Sequence, residues 1–202
     1  SGPRMQVRLF GGWQLPMDQC SRSNFAEVGY ANGVPMGGDL PAATQAGAAP
    51  RFAVSALRDP GVTGVASERA EPLQRIQIIK GWVDSAGVKQ EKVYEVAGDA
   101  SNGATVDTDT CETSGPGFAS LCSVWQDPDF QPQQSAFYYA RVVQNPSCRW
   151  ATYQCNAAQV DCSLPDEVPA EYADCCNASY PKTVQERAWS SPIWYRAPQS
   201  AP

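Results

Sequence analysis

The sequence predicts a mostly β protein: an antiparallel, immunoglobulin-like β-sandwich with a long disulfide-stapled insertion near the C-terminus. Apolar and polar residues alternate in several short runs, as expected of strands with one buried face. The 17 prolines and 16 glycines are spread along the chain, which indicates short elements joined by turns. Five of the eight cysteines lie in one late segment. At 202 residues, the chain is expected to form one domain spanning residues 1–202.

Seven segments show the alternating pattern of strands. The strongest is residues 73–83, LQRIQIIKGWV, in which Ile76, Ile78 and Trp82 share one face, and we expect it to be a central strand. A short helix is predicted over residues 24–30, and no other segment shows a sustained helical period. The remaining predicted strands are residues 5–9, 52–56, 93–97, 121–125, 137–143 and 188–195.

Two irregular segments interrupt the strands. Residues 41–50 are rich in Ala, Pro and Gly and are predicted to form a flexible surface loop. Residues 145–185 contain five cysteines and few strand-forming residues, yet strongly β segments lie on both sides. We interpret this region as a β-hairpin whose loop was expanded and then crosslinked, since a long loop without a core needs such support.

The cysteine count predicts four disulfides and an oxidising compartment: periplasmic, outer-envelope or secreted. Local pairs Cys111–Cys122 and Cys155–Cys162 are the first expectation. Adjacent cysteines rarely pair with each other, so the last two should have different partners, one of them within reach of Cys20. Zinc is less favoured because no Cys-x-x-Cys occurs. The eight residues are Cys20, Cys111, Cys122, Cys148, Cys155, Cys162, Cys175 and Cys176.

Charge and composition exclude several functions. A net charge of −6 disfavours nucleic acid as a partner, because nucleic-acid binding needs a basic surface. No apolar run approaches the roughly 20 residues that span a bilayer. The chain has no histidine, and neither Ser-x-x-Lys nor Gly-x-Ser-x-Gly occurs. We therefore assign no catalytic residue and expect no independent enzymatic activity.

One acidic segment is a candidate calcium site. Asp107, Asp109 and Glu112 could supply oxygen ligands, since closely spaced carboxylates in a loop are typical of calcium binding. The twelve-residue calcium-loop pattern is absent, so solvated turn residues are the simpler interpretation, here and at Asp127 and Asp129. No other cofactor is expected in this chain.

Aromatic residues suggest two kinds of surface. Trp82, Trp125 and Tyr138 could form a sugar-stacking platform, although packing in the sandwich core is the ordinary explanation for aromatic residues in strands. Tryptophans beside Gly or Pro at strand ends are candidates for contact with another domain instead. The candidate interdomain residues are Trp13, Met36, Trp189 and Trp194.

Six segments carry a family likeness. Together, and in order, they resemble the C-terminal part of a bacterial family of uncharacterised envelope proteins. That family joins a PHP-like (polymerase and histidinol phosphatase) metal-binding barrel to a C-terminal β-domain. The segments are SGPRMQVRLFGGW (1–13), VPMGGDLP (34–41), LQRIQIIKGWVD (73–84), VWQDPDF (124–130), AFYYARVVQNPSCRW (136–150) and QERAWSSPIWY (185–195).

The resemblance implies a metal-dependent hydrolase in the parent polypeptide, with its barrel as the partner of this chain. In the family, the segment like SGPR follows the barrel directly, and the metal-binding His and Asp motifs lie before it. None of those ligands falls on a position of this chain. We therefore expect an upstream barrel, with this chain as a fragment or a processed product.

Three functions remain open at this point. The first is a non-catalytic accessory domain that packs on the barrel and shapes or shields its active-site mouth. The second is a stand-alone binding module for a glycan or an envelope surface. The third is a structural or self-assembling envelope component. Whether a barrel is encoded upstream separates the first from the other two.

Overall fold

The computed structural model describes residues 2–43, 47–61 and 71–198. The chain is mostly β, with antiparallel sheets and few helices, which confirms the predicted fold class. The α-helices are α1 (Phe25–Asn32) and α2 (Trp150–Ala157). In chain order, the strands are β1 (Gln6–Gly12), β2 (Val34–Pro35), β3 (Arg51–Leu57), β4 (Leu73–Val83), β5 (Lys89–Gly98), β6 (Thr105–Val106), β7 (Thr113–Ser114), β8 (Ser120–Gln126), β9 (Ala136–Gln144), β10 (Ser147–Cys148), β11 (Thr183–Val184), β12 (Arg187–Trp189) and β13 (Ile193–Tyr195).

Two antiparallel sheets face each other. Sheet A has the order β2-β1-β3-β8, and sheet B has the order β12-β9-β4-β5, with β13 also pairing to β9. The longer strands β1, β3 and β8 belong to sheet A. The strands β4, β5 and β9, with β12 and β13, belong to sheet B. The chain therefore passes between the sheets after β3, β5 and β8, which is the Greek-key pattern of immunoglobulin-like sandwiches.

The sheets enclose one main apolar core. Ile76 and Ile78 of β4 pack there with Phe52 and Val54 of sheet A. As predicted, residues 73–83 form an interior strand, flanked by β5 and β9. The seven predicted strand segments all contain strands, although residues 188–195 are divided into β12 and β13. The helix predicted over residues 24–30 is α1, which packs against the outer face of sheet A through Phe25.

The segment 145–185 is a hairpin loop expanded between β9 and β12, as predicted. The hairpin pairing continues past β9 and β12 into β10 and β11, where Cys148 lies opposite Thr183. We call residues 149–182, which emerge from this pairing, the excursion. It contains α2 and two short 3-10 helices, Pro165–Glu167 and Ala170–Cys176. The helix α2 was not expected, because its residues show little amphipathic pattern.

All eight cysteines form disulfides, but the two local pairs expected from the sequence are wrong. Cys175 and Cys176 do have different partners, yet neither reaches Cys20. Two bonds lie within the excursion, one joins its base to the segment before β7, and one joins the segment after β1 to β8. The bonds are Cys20–Cys122, Cys111–Cys148, Cys155–Cys175 and Cys162–Cys176.

Two further points concern the surface. Residues 44–46 of the predicted loop at 41–50 lie outside the described residues. None of the described helices has both the length and the apolar character needed to cross a membrane. The four disulfides are typical of a protein from an extracellular or otherwise oxidising compartment.

Candidate interdomain surface

Two of the four candidate interdomain residues lie against the core. Trp13 is 8% exposed; its ring packs edge-on against Phe130 and Tyr195, and its Nε1 donates a hydrogen bond of 2.8 Å to the Pro41 carbonyl. Met36 is partly buried against the same core. Most of the surface of these side chains is thus already used within the chain.

The other two candidates are exposed on sheet B. Trp194 lies between Ile193 and Tyr195, which both point into the core, so its ring lies on the outer face of the sheet. Trp189 also lies on that face, two positions along β12 from the exposed Arg187. Trp189 is 55% exposed and Trp194 is 43% exposed. Large exposed aromatic groups on one sheet face are a recognised sign of an interaction site.

Two more aromatic side chains complete this surface. Phe137 and Tyr139 alternate with the core residues of β9, and their rings are nearly parallel, with centroids 6.3 Å apart. The Phe137 ring also lies 5.3 Å from that of Trp194. It covers Gly81 so closely that a β-carbon there would collide with it. We call Phe137, Tyr139, Trp189 and Trp194 the aromatic face.

A row of polar side chains borders the aromatic face. Arg141, opposite Trp189 on β9, donates a hydrogen bond of 2.6 Å from Nε to Gln77 Oε1. Gln77 in turn donates to Glu95, which also forms an ion pair with Arg75 at 3.5 Å. These groups run across three neighbouring strands of sheet B. The outer face therefore combines exposed rings with a fixed line of hydrogen-bonding groups.

The first described residues lie at the same end of the sandwich as the excursion. Gly2 lies against the carboxylate of Glu186, which directly precedes β12. The backbone N–H of Arg4 donates a hydrogen bond of 2.6 Å to Asp59, just after β3, and this bond lowers the pKa of Asp59 below 3.8. Trp189 is the third residue after Glu186, roughly 10 Å further along the strand. The first described residues therefore lie at the foot of the excursion, next to the start of the strand that carries Trp189.

A buried ionic cluster lies at the opposite end of the core. Lys80 of β4 and Asp127, which follows β8, form an ion pair of 2.6 Å with side-chain exposures of 3% and 0%. The Tyr138 hydroxyl donates to the same Asp127 oxygen at 2.7 Å, and the Asp129 N–H donates to the other at 2.9 Å. The interpretation of Asp127 as a solvated turn residue is therefore wrong.

The cluster continues to the surface through Asp129. Lys92 and Tyr94 of β5 donate to Asp129 Oδ2 at 2.5 and 2.6 Å, and these bonds hold the pKa of Asp129 below its usual value. Burial, followed by the charge of Asp127, raises the pKa of Tyr138. Burial and the bond to Asp129 raise that of Tyr94. Both tyrosines are therefore held as neutral hydrogen-bond donors.

This cluster joins the two sheets. Lys80 and Tyr138 lie opposite each other on β4 and β9 of sheet B, whereas Asp127 directly follows β8 of sheet A. Within the cluster, the buried Lys80 ammonium and the buried Asp127 carboxylate are paired with each other, as a stable interior requires. Sequence reasoning missed this role, although Lys80 shares the alternating register of Ile76, Ile78 and Trp82 and so had to face the core.

The calcium candidates and the suggested sugar platform do not form a recognisable site. Asp107, Asp109 and Glu112 lie in one exposed turn, where Asp107 accepts the Asp109 N–H at 2.8 Å. Among the described residues, no three His, Cys, Asp or Glu side chains are grouped as a metal site. Calcium binding therefore stays a prediction. Of the suggested sugar platform, Tyr138 is fully buried in the core, and Trp82 and Trp125 are partly buried against it.

Comparison with known proteins gives one family. The model of a family described as "Protein of unknown function (DUF3604)" matches residues 1–197. No curated protein and no solved structure matches the chain. The matched region includes both sheets, the excursion and all eight cysteines.

Proposed function

Because the chain belongs to the DUF3604 family, whose function is unknown, we propose that it is a non-catalytic accessory domain. Its partner is a PHP-like, metal-dependent hydrolase barrel that precedes it in the same polypeptide. The barrel is inferred from the likeness of the six segments described above. The parent protein acts in the periplasm, at the outer envelope or as a secreted protein, in keeping with the disulfides.

The observation that carries this proposal is the aromatic face. Sheet A has its outer face packed against α1, whereas sheet B leaves Trp189 and Trp194 largely exposed on its own. Burying such rings against a neighbouring domain contributes roughly 25 cal/mol for each square ångström of apolar surface removed from water. A barrel seated here would cover both exposed tryptophans of sheet B.

The entry of the chain supports the same arrangement. A domain joined before Gly2 begins beside Glu186, at the foot of the excursion and next to β12. It is therefore tethered close to Trp189, and a short connection raises the effective concentration of one surface at the other. The excursion rises at this end, where it can border the mouth of the barrel.

Hydrolysis belongs to the barrel in this proposal. Metal-assisted hydrolysis needs several fixed ligands and an open position for water. The described residues contain no such group, so we assign no step of the reaction to this chain. Its contribution is to position the barrel and to limit access to the barrel's active site.

Hydrogen exchange on the parent polypeptide tests the proposal. We expect β12 and β13 to exchange more slowly in the parent protein than in residues 1–202 alone. Replacing Trp189 and Trp194 with Ala should remove most of that difference. Tyr30→Ala is the control, because this exposed ring lies on α1 at the other sheet. A gene without an upstream barrel, or equal exchange in both proteins, would refute it.

A glycan-binding module is the second candidate, favoured by the polar row of Arg141, Gln77 and Glu95 beside the stacked rings. Aromatic rings stack on sugars while such polar groups fix their hydroxyls. The isolated chain would then bind a soluble peptidoglycan digest, and Trp189→Ala would weaken that binding. Self-association of the isolated chain through the aromatic face would instead support a self-assembling envelope component.

A further inference from the structure

The excursion contains an open cavity of about 430 Å³. One wall is α2 with its preceding residue Arg149, and the other is the 3-10 helix Ala170–Cys176. The Cys155–Cys175 disulfide joins the two walls. The volume lies within the range of small-molecule sites in proteins. This cavity is separate from the aromatic face and independent of the proposed accessory function.

The cavity carries charges of both signs. Arg149 lines one wall, and Glu171 and Asp174 line the other. Within the described part of the chain, none of these three side chains forms an ion pair or a side-chain hydrogen bond. Their charges are thus available to a ligand, in contrast to Lys80 and Asp127, which neutralise each other in the core.

Two tyrosines supply the apolar part of the lining. Tyr172 is partly buried between the walls, and Tyr180 is exposed at the rim beside Pro181. An aromatic ring attracts a cation held over its face and also packs well against an aliphatic chain. Together with the carboxylates, these rings favour a ligand that carries a positive group on a short apolar body.

The surrounding charge favours the same kind of ligand. Residues 161–176 contain Asp161, Asp166, Glu167, Glu171 and Asp174 and no Lys or Arg. A surface with one predominant sign raises the local concentration of ions of opposite sign. Since the two internal disulfides fix the walls in advance, little ordering is needed when a ligand binds.

We propose that this cavity binds a small zwitterion with net positive charge, of the class of basic amino acids and short basic peptides. Arg149 pairs with the ligand carboxylate, because its guanidinium suits that group. Glu171 and Asp174 pair with two cationic groups of the ligand. The aliphatic part of the ligand lies against Tyr172 and Tyr180. Two acidic residues and one basic residue thus match two positive groups and one negative group.

L-Lysine is the probe that tests this assignment, with chemical shifts of the isolated chain as the readout. We expect lysine to shift resonances of α2 and the 3-10 helix Ala170–Cys176 and to leave those of the sandwich unchanged. Cadaverine, which lacks the carboxylate, and ε-aminocaproate, which lacks the α-ammonium group, should each bind about three- to tenfold more weakly. The absence of localised shifts at about 10 mM lysine, beyond the range of weak specific binding, would overturn the proposal.

Charge-neutralising variants make the test specific. Glu171→Gln and Asp174→Asn should each weaken lysine binding by about three- to tenfold. Asp166→Asn and Glu167→Gln remove the same charge from the same excursion outside the cavity, so they should have little effect. Arg149→Gln should abolish the preference for lysine over cadaverine. Equal losses in cavity and control variants would mean general attraction to an acidic surface and would refute a built site. A disulfide map by peptide mass that retains Cys155–Cys175 and Cys162–Cys176, together with unchanged resonances of the sandwich, shows that each variant is correctly folded.

Discussion

The sandwich and the excursion are stabilised by different means. In the sandwich, Phe52, Ile78 and Tyr138 are fully buried, and one ion pair joins the two sheets. In the excursion, residues 149–182, Thr152 is the only buried residue, and two disulfides connect the helices. Crosslinks can therefore hold a segment whose own apolar burial is insufficient.

This difference has a consequence for function. A segment held by its own crosslinks can keep its shape without being packed into the main core. Its surface residues are then free to serve binding, as in other loops presented by a rigid scaffold. Trp150, Leu164 and Tyr180 are all largely exposed on the excursion. We therefore expect the sandwich and the excursion to unfold independently of each other.

Removing one partner of the buried ion pair should have the largest effect. Asp127→Ala removes the acceptor of the Tyr138 hydroxyl and the counter-charge of the buried Lys80 ammonium, which keeps the neutral Asp129 carbonyl as an acceptor at 2.8 Å. We expect the free energy of unfolding, measured in urea, to fall by about 3–5 kcal/mol. Asp129→Ala is the control: this carboxylate is about half exposed, so its loss should cost much less. A similar small effect for both would show that the buried pair does not stabilise the sandwich.

Opening the disulfide that ties the segment after β1 to sheet A should follow. Cys20–Cys122 closes the longest loop in the chain, with a sequence separation of 102, and ties the segment after β1 to β8. Replacing both cysteines with Ala should lower the free energy of unfolding by about 2–4 kcal/mol, because the unfolded chain regains conformational freedom. Urea titration of this variant, compared with the intact protein, is the measurement. An unchanged midpoint would contradict it.

Opening the two disulfides within the excursion should act locally. Replacing Cys155, Cys162, Cys175 and Cys176 with Ala should increase hydrogen exchange in α2 to nearly that of an unfolded chain. The urea midpoint of the sandwich should hardly change, since few buried contacts join the two regions. Simultaneous loss of protection in β4 and β9 would mean that the excursion and the sandwich unfold together, and the comparison would fail.

The sequence predicted correctly those strands that depend on one local pattern, the alternation of apolar and polar residues. The alternating pattern of residues 73–83 predicted β4 with its observed bounds, because a strand between two others has to bury its face. The same pattern places Lys80 on the core face, but a lysine is normally exposed, and the pattern alone therefore does not predict a buried ion pair there. Its partner Asp127 is 47 residues away, and no local pattern marks a pair so distant in sequence.

The excursion was harder to predict for a related reason. Its location between two strands of a hairpin followed from the strongly β segments on either side, but its disulfide pairing did not. Cys111 bonds to Cys148 because the turn before β7 lies against the base of the hairpin, a proximity that only the folded sandwich creates. The cavity likewise depends on how α2 meets the 3-10 helix Ala170–Cys176. Neither the disulfide pairing nor the cavity can be recognised from the spacing of residues in the sequence.

Moderately alkaline pH should have the smallest effect on stability, and it should destabilise the sandwich before the excursion. Burial raises the pKa values of Tyr94, Tyr138 and Tyr195 above the ordinary value of 10.0. In that case the folded state retains protons that the unfolded chain releases, so stability is unaffected below about pH 10 and declines as the pH rises above it. Thermal unfolding followed from neutral to alkaline pH measures this decline. Tyr138→Phe should make the curve flatter, since it removes one retained proton. A decline that begins near neutral pH, or a Tyr138→Phe curve as steep as the original, would show that these buried hydroxyls do not control alkaline stability.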